Sequence, residues 1–236
     1  MNGSQRFHSE RRLKASKLEN YYIFHWGDAL FVALDPYWPT TGRQRGDLWR
    51  WTLGRPQYDW LQQTLEQSNA KFKFVFIHHA IAANSEPTRG GVEAARYGES
   101  GGLDAEGKNA FAERRPGWAA PIHQLLVRHG VNIVFHGRDH FYAREELDGV
   151  VYQLVPQPGN PRAAQPPRNA QEYGYRSGVI RGGAGYVRVG VSVETTQVDY
   201  VVLSNAVKHS YRIAPIVRRE LETRSSPSGG AHLPRT

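Results

Sequence analysis

The chain has 236 residues, 39% of them hydrophobic, no cysteine and a formal net charge of +8. That length and apolar content support one substantial core and leave little room for two; the lack of cysteine excludes disulfides and thiolate metal sites, and no apolar run approaches the roughly 18 residues of a membrane span. The charge suits phosphate-bearing partners, but the basic pairs Arg11-Arg12, Arg114-Arg115 and Arg218-Arg219 are scattered and read as solvated surface, not as a dedicated nucleic-acid footprint.

Residues 1–20 read as a mobile, polar and basic leader without the apolar centre of a signal peptide. The folded part is expected over residues 21–215, and 216–236 as a disordered tail with too little apolar surface to offset ordering entropy. Tyr21 to His25 and Ala29 to Leu34 are β-rich runs parted by Trp26-Gly27-Asp28, the pattern of a hairpin. Pro56 suits a first helical turn, and Tyr58, Leu61 and Leu65 then recur at helical spacing as far as Gln67. Phe72 to Ile77 is almost continuously apolar, as in a strand buried on both faces. A second helix carries Ile122, Leu125 and Leu126, stops at Gly130 and leads into a second buried strand, Val131 to Phe135. Strand, helix, strand argues for a parallel α/β unit. Phe141 to Leu147, Val150 to Val155, Tyr186 to Val193 and Val198 to Leu203 follow as strands, with Asp148-Gly149 as a hairpin turn and Pro156 to Pro167 as a loop.

In open α/β sheets, ligands gather beyond the carboxyl ends of the strands. Two buried strands deliver polar residues there, the first His78-His79 and the second His136-Gly137-Arg138-Asp139-His140. Glycine at 137 would allow a sharp turn and a close backbone approach. The segment from Ala80 to Trp118 is long enough to read as a lid or specificity loop beside His78, where Arg89 and Arg96 can meet an anionic substrate.

The segments Tyr21-Tyr22-Ile23-Phe24-His25-Trp26-Gly27-Asp28 through Asp35, Gln57-Tyr58-Asp59-Trp60-Leu61, Phe74-Val75-Phe76-Ile77-His78-His79 and Gly137-Arg138-Asp139-His140 resemble, in this order, the calcineurin-like metallophosphoesterases. The resemblance covers Tyr21 to Ile213. It implies an α/β fold, the C-terminal half of a four-layer α/β/β/α sandwich with mixed sheets, and a metal-dependent phosphoester hydrolase, phosphatase or phosphodiesterase. It further implies two divalent or trivalent metal ions, with Zn, Fe, Mn and Ni not distinguished, and makes His78 a ligand of one ion and His140 a ligand of the other. His79 and His136 flank these ligands, and they can orient them, contact substrate or serve as core residues.

Two departures qualify the resemblance. The family's Asp-x-His, Gly-Asp-x-x-Asp and Gly-Asn-His-Asp/Glu blocks are expected before Tyr21, and residues 1–20 do not contain them. Where the family reads Gly-His-x-His, Arg138 replaces a metal-binding histidine, and a guanidinium cannot coordinate a cation. Arg138 can instead bind a phosphate bidentately or mark a decayed site. The expectation is therefore a hydrolase acting on a phosphoester substrate but represented by part of its metal machinery, with an inactive remnant that binds phosphate-bearing ligands as the alternative. A half-sheet also exposes strand edges that seek a complementing chain. A soluble protein with no membrane partner is expected, and no export address is visible.

Overall fold

The computed structural model describes residues 20–37, 48–79, 90–159 and 170–215. Residues 1–19 of the expected leader, the tail from residue 216, Arg89 with the Ala80 end of the expected lid, and the larger part of the Pro156–Pro167 loop lie outside these residues. Two sheets and a set of helices make up the described fold. In the larger, seven-stranded sheet the order is β1 (Tyr22–Trp26), β2 (Ala29–Leu34), β3 (Phe72–Ile77), β4 (Ile133–His136), β6 (Val150–Leu154), β5 (Tyr142–Leu147) and β7 (Val179–Arg181). The smaller sheet is an antiparallel meander of β8 (Gly185–Val191), β9 (Thr196–Val202) and β10 (Val207–Ile213).

β2, β3, β4 and β6 run parallel, and their sequences are apolar on both faces because both faces are covered. On one face Leu30, Val32, Leu34, Val75, Val134, Val150 and Tyr152 form a core with Tyr58, Leu61 and Leu65 of α1 (Gly54–Gln67) and with Ile122, Leu125 and Leu126 of α5 (Ile122–Arg128). Leu61 and Leu125 are completely buried, each contributing about 1.5–3 kcal/mol by the area it removes from water. On the other face Ala29, Phe72, Phe74, Ile133, Phe135 and Val151 meet Val198 of the small sheet, with Val187, Tyr211 and Ile213 packed alongside. The described residues thus supply helix, sheet and sheet layers. Beyond them, the outer face of the small sheet is polar: Asp199 accepts bonds from Arg188, Gln197 and Ser210, and Gln197 accepts one from Arg212.

The expected hairpins form at Gly27-Asp28, where Gly27 has φ 55°, and at Asp148-Gly149, where both residues have positive φ. The expected loop from Ala80 to Trp118 differs in its described part. Residues 90–118 contain three short helices, α2 (Gly91–Ala94), α3 (Gly98–Gly101) and α4 (Phe111–Arg114), and bury Val92, Ala94, Ala95 and Phe111. Glu99 is wholly buried and accepts bonds from Thr52 Oγ1 at 2.6 Å, Leu53 N at 2.8 Å and Arg115 Nε at 2.6 Å. Arg115, expected on a solvated surface, instead ties this segment to the residues preceding α1, with its guanidinium 5.5 Å from both the Trp49 and Trp118 rings.

Candidate functional site

Parallel pairing brings the chemistry-bearing residues together. Leu34 of β2 is in register with Ile77 of β3, and Ile77 with His136 of β4, so Asp35–Tyr37, His78–His79 and Gly137–His140 all leave the sheet at one end. The backbone binds them to one another there, with Gly137 N donating to His78 O at 2.9 Å. Gln57 of α1, fully buried, accepts from Asp35 N at 2.8 Å and donates to Asp35 O at 2.9 Å. Asp35 Oδ1 in turn accepts from Tyr37 N at 2.8 Å, which fixes a tight turn and directs Tyr37 toward His78.

The Tyr37 hydroxyl lies 2.8 Å from His78 Nδ1, and that same nitrogen lies 3.2 Å from His79 Nδ1. With Nδ1 so engaged, Nε2 is the nitrogen of His78 left for a ligand. Partial burial and the charges of Arg138 and His140 all push the His78 imidazole below its ordinary pKa, so it is neutral near pH 7. His79 is 2% exposed, packed edge-on against Trp51 at 4.8 Å, and held down to about 3 by burial first and by Arg138 second. Its buried Nε2 has no hydrogen-bond partner among the described residues. Burial raises the Tyr37 pKa despite Arg138, so the phenol keeps its proton. The Arg138 charge thus acts on Tyr37, His78 and His79 alike.

The loop between β4 and β5 carries the unusual backbone. Arg138 has φ 83° and His140 φ 63°, left-handed conformations that cost a non-glycine residue about 1–2 kcal/mol and that collect at functional sites. Gly137 was the glycine expected to make the turn, yet its φ is not positive, and an added Cβ would meet only His78 O at 3.6 Å. Asp139 accepts a bond from Tyr175 OH at 2.9 Å. The Tyr175 ring also stacks on buried His136 at 6.5 Å and packs so closely on Gly90 that a Cβ there would fall 2.4 Å from its hydroxyl. Burial takes His136 down to about 4, consistent with a core position behind the crevice. Beside Gly91, Glu145 is 1% exposed and accepts from Val92 N and Ser177 Oγ, both at 3.2 Å, while burial raises its pKa to about 7.

His78 and His140 follow the ends of the neighbouring strands β3 and β4, and the charge of His140 contributes to lowering the His78 pKa. They do not amount to a metal centre. Among the described residues no group of three or more His, Asp or Glu side chains could hold an ion, and the permanent positive charge of Arg138 between Gly137 and Asp139 opposes a bound cation nearby. The described residues therefore do not fit a two-metal site. Their chemistry suits an anion, because a guanidinium donates and a neutral His78 whose Nδ1 is engaged by the Tyr37 hydroxyl can donate through Nε2. Arg96, expected beside the crevice, pairs with Glu93 at 3.5 Å. An open cavity of about 580 Å³ lined by Trp49, Arg50, Arg55 and Trp118 shares no residue with this crevice. Sequence reading missed Tyr37, Trp51 and Tyr175. The Asp35-Pro36-Tyr37 turn, an aromatic directly after a buried strand, was a usable signal for the first, whereas Tyr175 arrives from a distant segment without one.

No family model and no curated protein matches the sequence. Solved structures share the fold. GAP50, the anchor in the inner membrane complex of Plasmodium, matches with a TM-score of 0.52 at 12% identity, over 91% of this chain and 62% of its own. PhoD matches with a TM-score of 0.54 at 15% identity, over 83% of this chain and 41% of its own. The purple acid phosphatase PPD1 from yellow lupin (Lupinus luteus) seeds gives a TM-score of 0.48 at 13% identity, over 90% and 36% of the two chains. This chain therefore spans less than two thirds of the length of each, and no described helix is long and apolar enough to cross a membrane. At these identities the likeness is one of architecture alone, a mixed α/β fold.

Proposed function

We propose that the chain acts on phosphoesters, as part of a phosphoester hydrolase in which the crevice around Arg138 receives the phosphoryl group. The observation that carries this reading is the placement of Arg138, at a strained φ of 83°, beyond the carboxyl ends of three parallel strands. Its charge there bears on Tyr37, His78 and His79. The shared fold and the motif order from Tyr21 to His140 support the same reaction class. Arg138 binds two phosphoryl oxygens, neutral His78 donates through Nε2, and Tyr37 holds the His78 ring in place through Nδ1. His78 and His140 stand as the inherited metal positions, and hydrolysis through metal ions requires donors beyond those the described residues supply.

The shortage of metal donors favours a second reading, phosphoester binding without turnover. One experiment addresses both. Titration of the chain with phenyl phosphate, followed by calorimetry, should show binding that Arg138→Gln abolishes and Arg138→Lys weakens, since lysine cannot bind bidentately. A nitrophenyl phosphodiester assayed in parallel with added Mn or Zn reports turnover. Metal-dependent hydrolysis supports the hydrolase, and saturable binding without hydrolysis supports the second reading. Binding unchanged in Arg138→Gln refutes the assignment of the crevice.

A further inference from the structure

The cavity of about 580 Å³ that shares no residue with the crevice lies among the short helical turn Leu48–Arg50, the start of α1 and the segment from Arg115 to Trp118. Three guanidiniums line it, those of Arg50, Arg55 and Arg115, together with Trp49, Trp118 and Thr52. No acidic side chain is among the described lining residues. The carboxylates that orient two of the guanidiniums stand outside the lining, Asp59 accepting from Arg55 Nε at 2.7 Å and Glu99 from Arg115 Nε at 2.6 Å. Three guanidiniums against two carboxylates leave one net positive charge.

Two of these cations are fixed before any ligand arrives. Arg115 also donates through Nη1 to Arg114 O at 2.9 Å and through Nη2 to Trp49 O at 2.6 Å, and it lies 5.5 Å from both the Trp49 and Trp118 rings. Each of those two nitrogens carries a second hydrogen. Arg55 donates through Nη1 to Gly117 O at 3.0 Å, while its Nη2 has no hydrogen-bond partner among the described residues. Donors thus remain on guanidiniums whose positions are already set, which lowers the ordering cost of binding.

We propose that this cavity binds a small molecule that joins a planar ring to two or more phosphoryl groups, a ligand of the nucleoside polyphosphate kind. Its volume falls within the range of small-molecule sites, about 300–1,000 Å³, and exceeds what a lone phosphate fills. A guanidinium fork matches phosphoryl oxygens two at a time, and three forks around one cavity suit several phosphoryl groups better than one. The half-buried Trp118 indole, backed by the Tyr58 ring at 3.9 Å, offers flat apolar surface for the ring of the ligand. Arg138 takes no part in this site, so it stands or falls separately from the crevice.

Calorimetric titration of the full chain carrying Arg138→Gln, in which the crevice is disabled, isolates the cavity. ATP should bind that variant one to one and more tightly than inorganic triphosphate, and adenosine alone should not saturate it. Adding Arg55→Gln should weaken ATP at least about tenfold, the scale of a lost hydrogen bond between charged groups. The Arg55 side chain is 52% exposed and its pair with Asp59 is a surface one, so this variant should stay folded, which circular dichroism checks. Trp118→Leu should bring the affinity for ATP down to that for triphosphate. The proposal is overturned by absence of ATP binding in Arg138→Gln, by ATP affinity unchanged in Arg55→Gln, or by equal affinities for ATP and triphosphate. Citrate binding as tightly as ATP also overturns it, because the cavity would then take any polyanion.

Discussion

Replacing Glu145 by glutamine should flatten the pH dependence of stability, and the size of the effect follows from the burial of the residue. The carboxyl is 1% exposed and its pKa is raised from 4.5 to about 7, chiefly because the charged form is desolvated. A folded-state pKa above the unfolded one means that the unfolded chain gives up the proton first as pH rises. The stability contributed by the protonated acid is complete below about pH 4.5 and is lost progressively up to and through pH 7. A rise of this size corresponds to about 3 kcal/mol. Glutamine mimics the protonated acid and retains an oxygen acceptor for Val92 N or Ser177. Glu145→Gln should therefore exceed the wild type by about 3 kcal/mol at pH 8 and by under about 1 kcal/mol at pH 5. His79 and His136, with depressed pKa values of about 3 and about 4, act in the opposite sense and remove stability as pH falls below about 6.5. They do so in both proteins and cancel in the difference. Urea unfolding at the two pH values gives that difference directly. Parallel wild-type and variant profiles, or a variant less stable at pH 8, would refute the reasoning.

Arg138→Gly should relieve the positive φ and Arg138→Val should aggravate it, so the glycine variant is expected to be the more stable in urea by about 1–2 kcal/mol. Both should lose phenyl phosphate binding in a calorimetric titration. Glu99→Ala strips the acceptor from Arg115, Thr52 and Leu53 N and should cost about 3–5 kcal/mol, measured as a lower urea midpoint, because a largely buried guanidinium is left unpaired. Gly90→Ala puts a methyl group 2.4–2.5 Å from the hydroxyl and ring of Tyr175 and should cost about 1–3 kcal/mol by overpacking. The double variant Gly90→Ala/Tyr175→Leu should recover part of that loss; an additive loss would show that the two positions do not share the space.

Much of the central sheet was legible because its residues obey short-range rules. Phe72–Ile77 was placed to the residue, since a nearly uninterrupted apolar run fits a strand buried on both faces, and the Asp148-Gly149 turn fixed β5 and β6. β10 escaped, although Val207, His209, Tyr211 and Ile213 alternate with polar residues, because its side chains are mostly exposed or half-buried and no apolar run marks it. β7 is three residues long and owes its pairing to β5. Residues 90–118, expected as a loop, are partly helical, and Glu99 holds them through Arg115 within the segment and through Thr52 and Leu53 far off in sequence, contacts that leave no periodic trace. At the site the residues of β3 and β4 were read from their strand ends. The contacts that set their chemistry, Tyr37 on His78 and Tyr175 on Asp139, join different segments and become visible only in three dimensions.

The order of strands β4, β6 and β5 bears on how the molecule acquires its site. β6 is inserted between β4 and β5, so the loop from Gly137 to Phe141, which joins those two strands, must pass over the end of β6. Two backbone bonds seal that crossing, Val155 N to His136 O at 2.8 Å and Gln157 N to His140 O at 3.3 Å. The β5–β6 hairpin closes locally through a tight turn and can form early, whereas its docking beside β4 is a parallel, non-local event of the slower kind. Until β6 has docked, those bonds cannot form, and the left-handed backbone at Arg138 and His140 has less to enforce it. The crevice should thus be among the last parts of the chain to become native, and a partly folded intermediate should present a protected hairpin alongside a site loop still open to proteolysis.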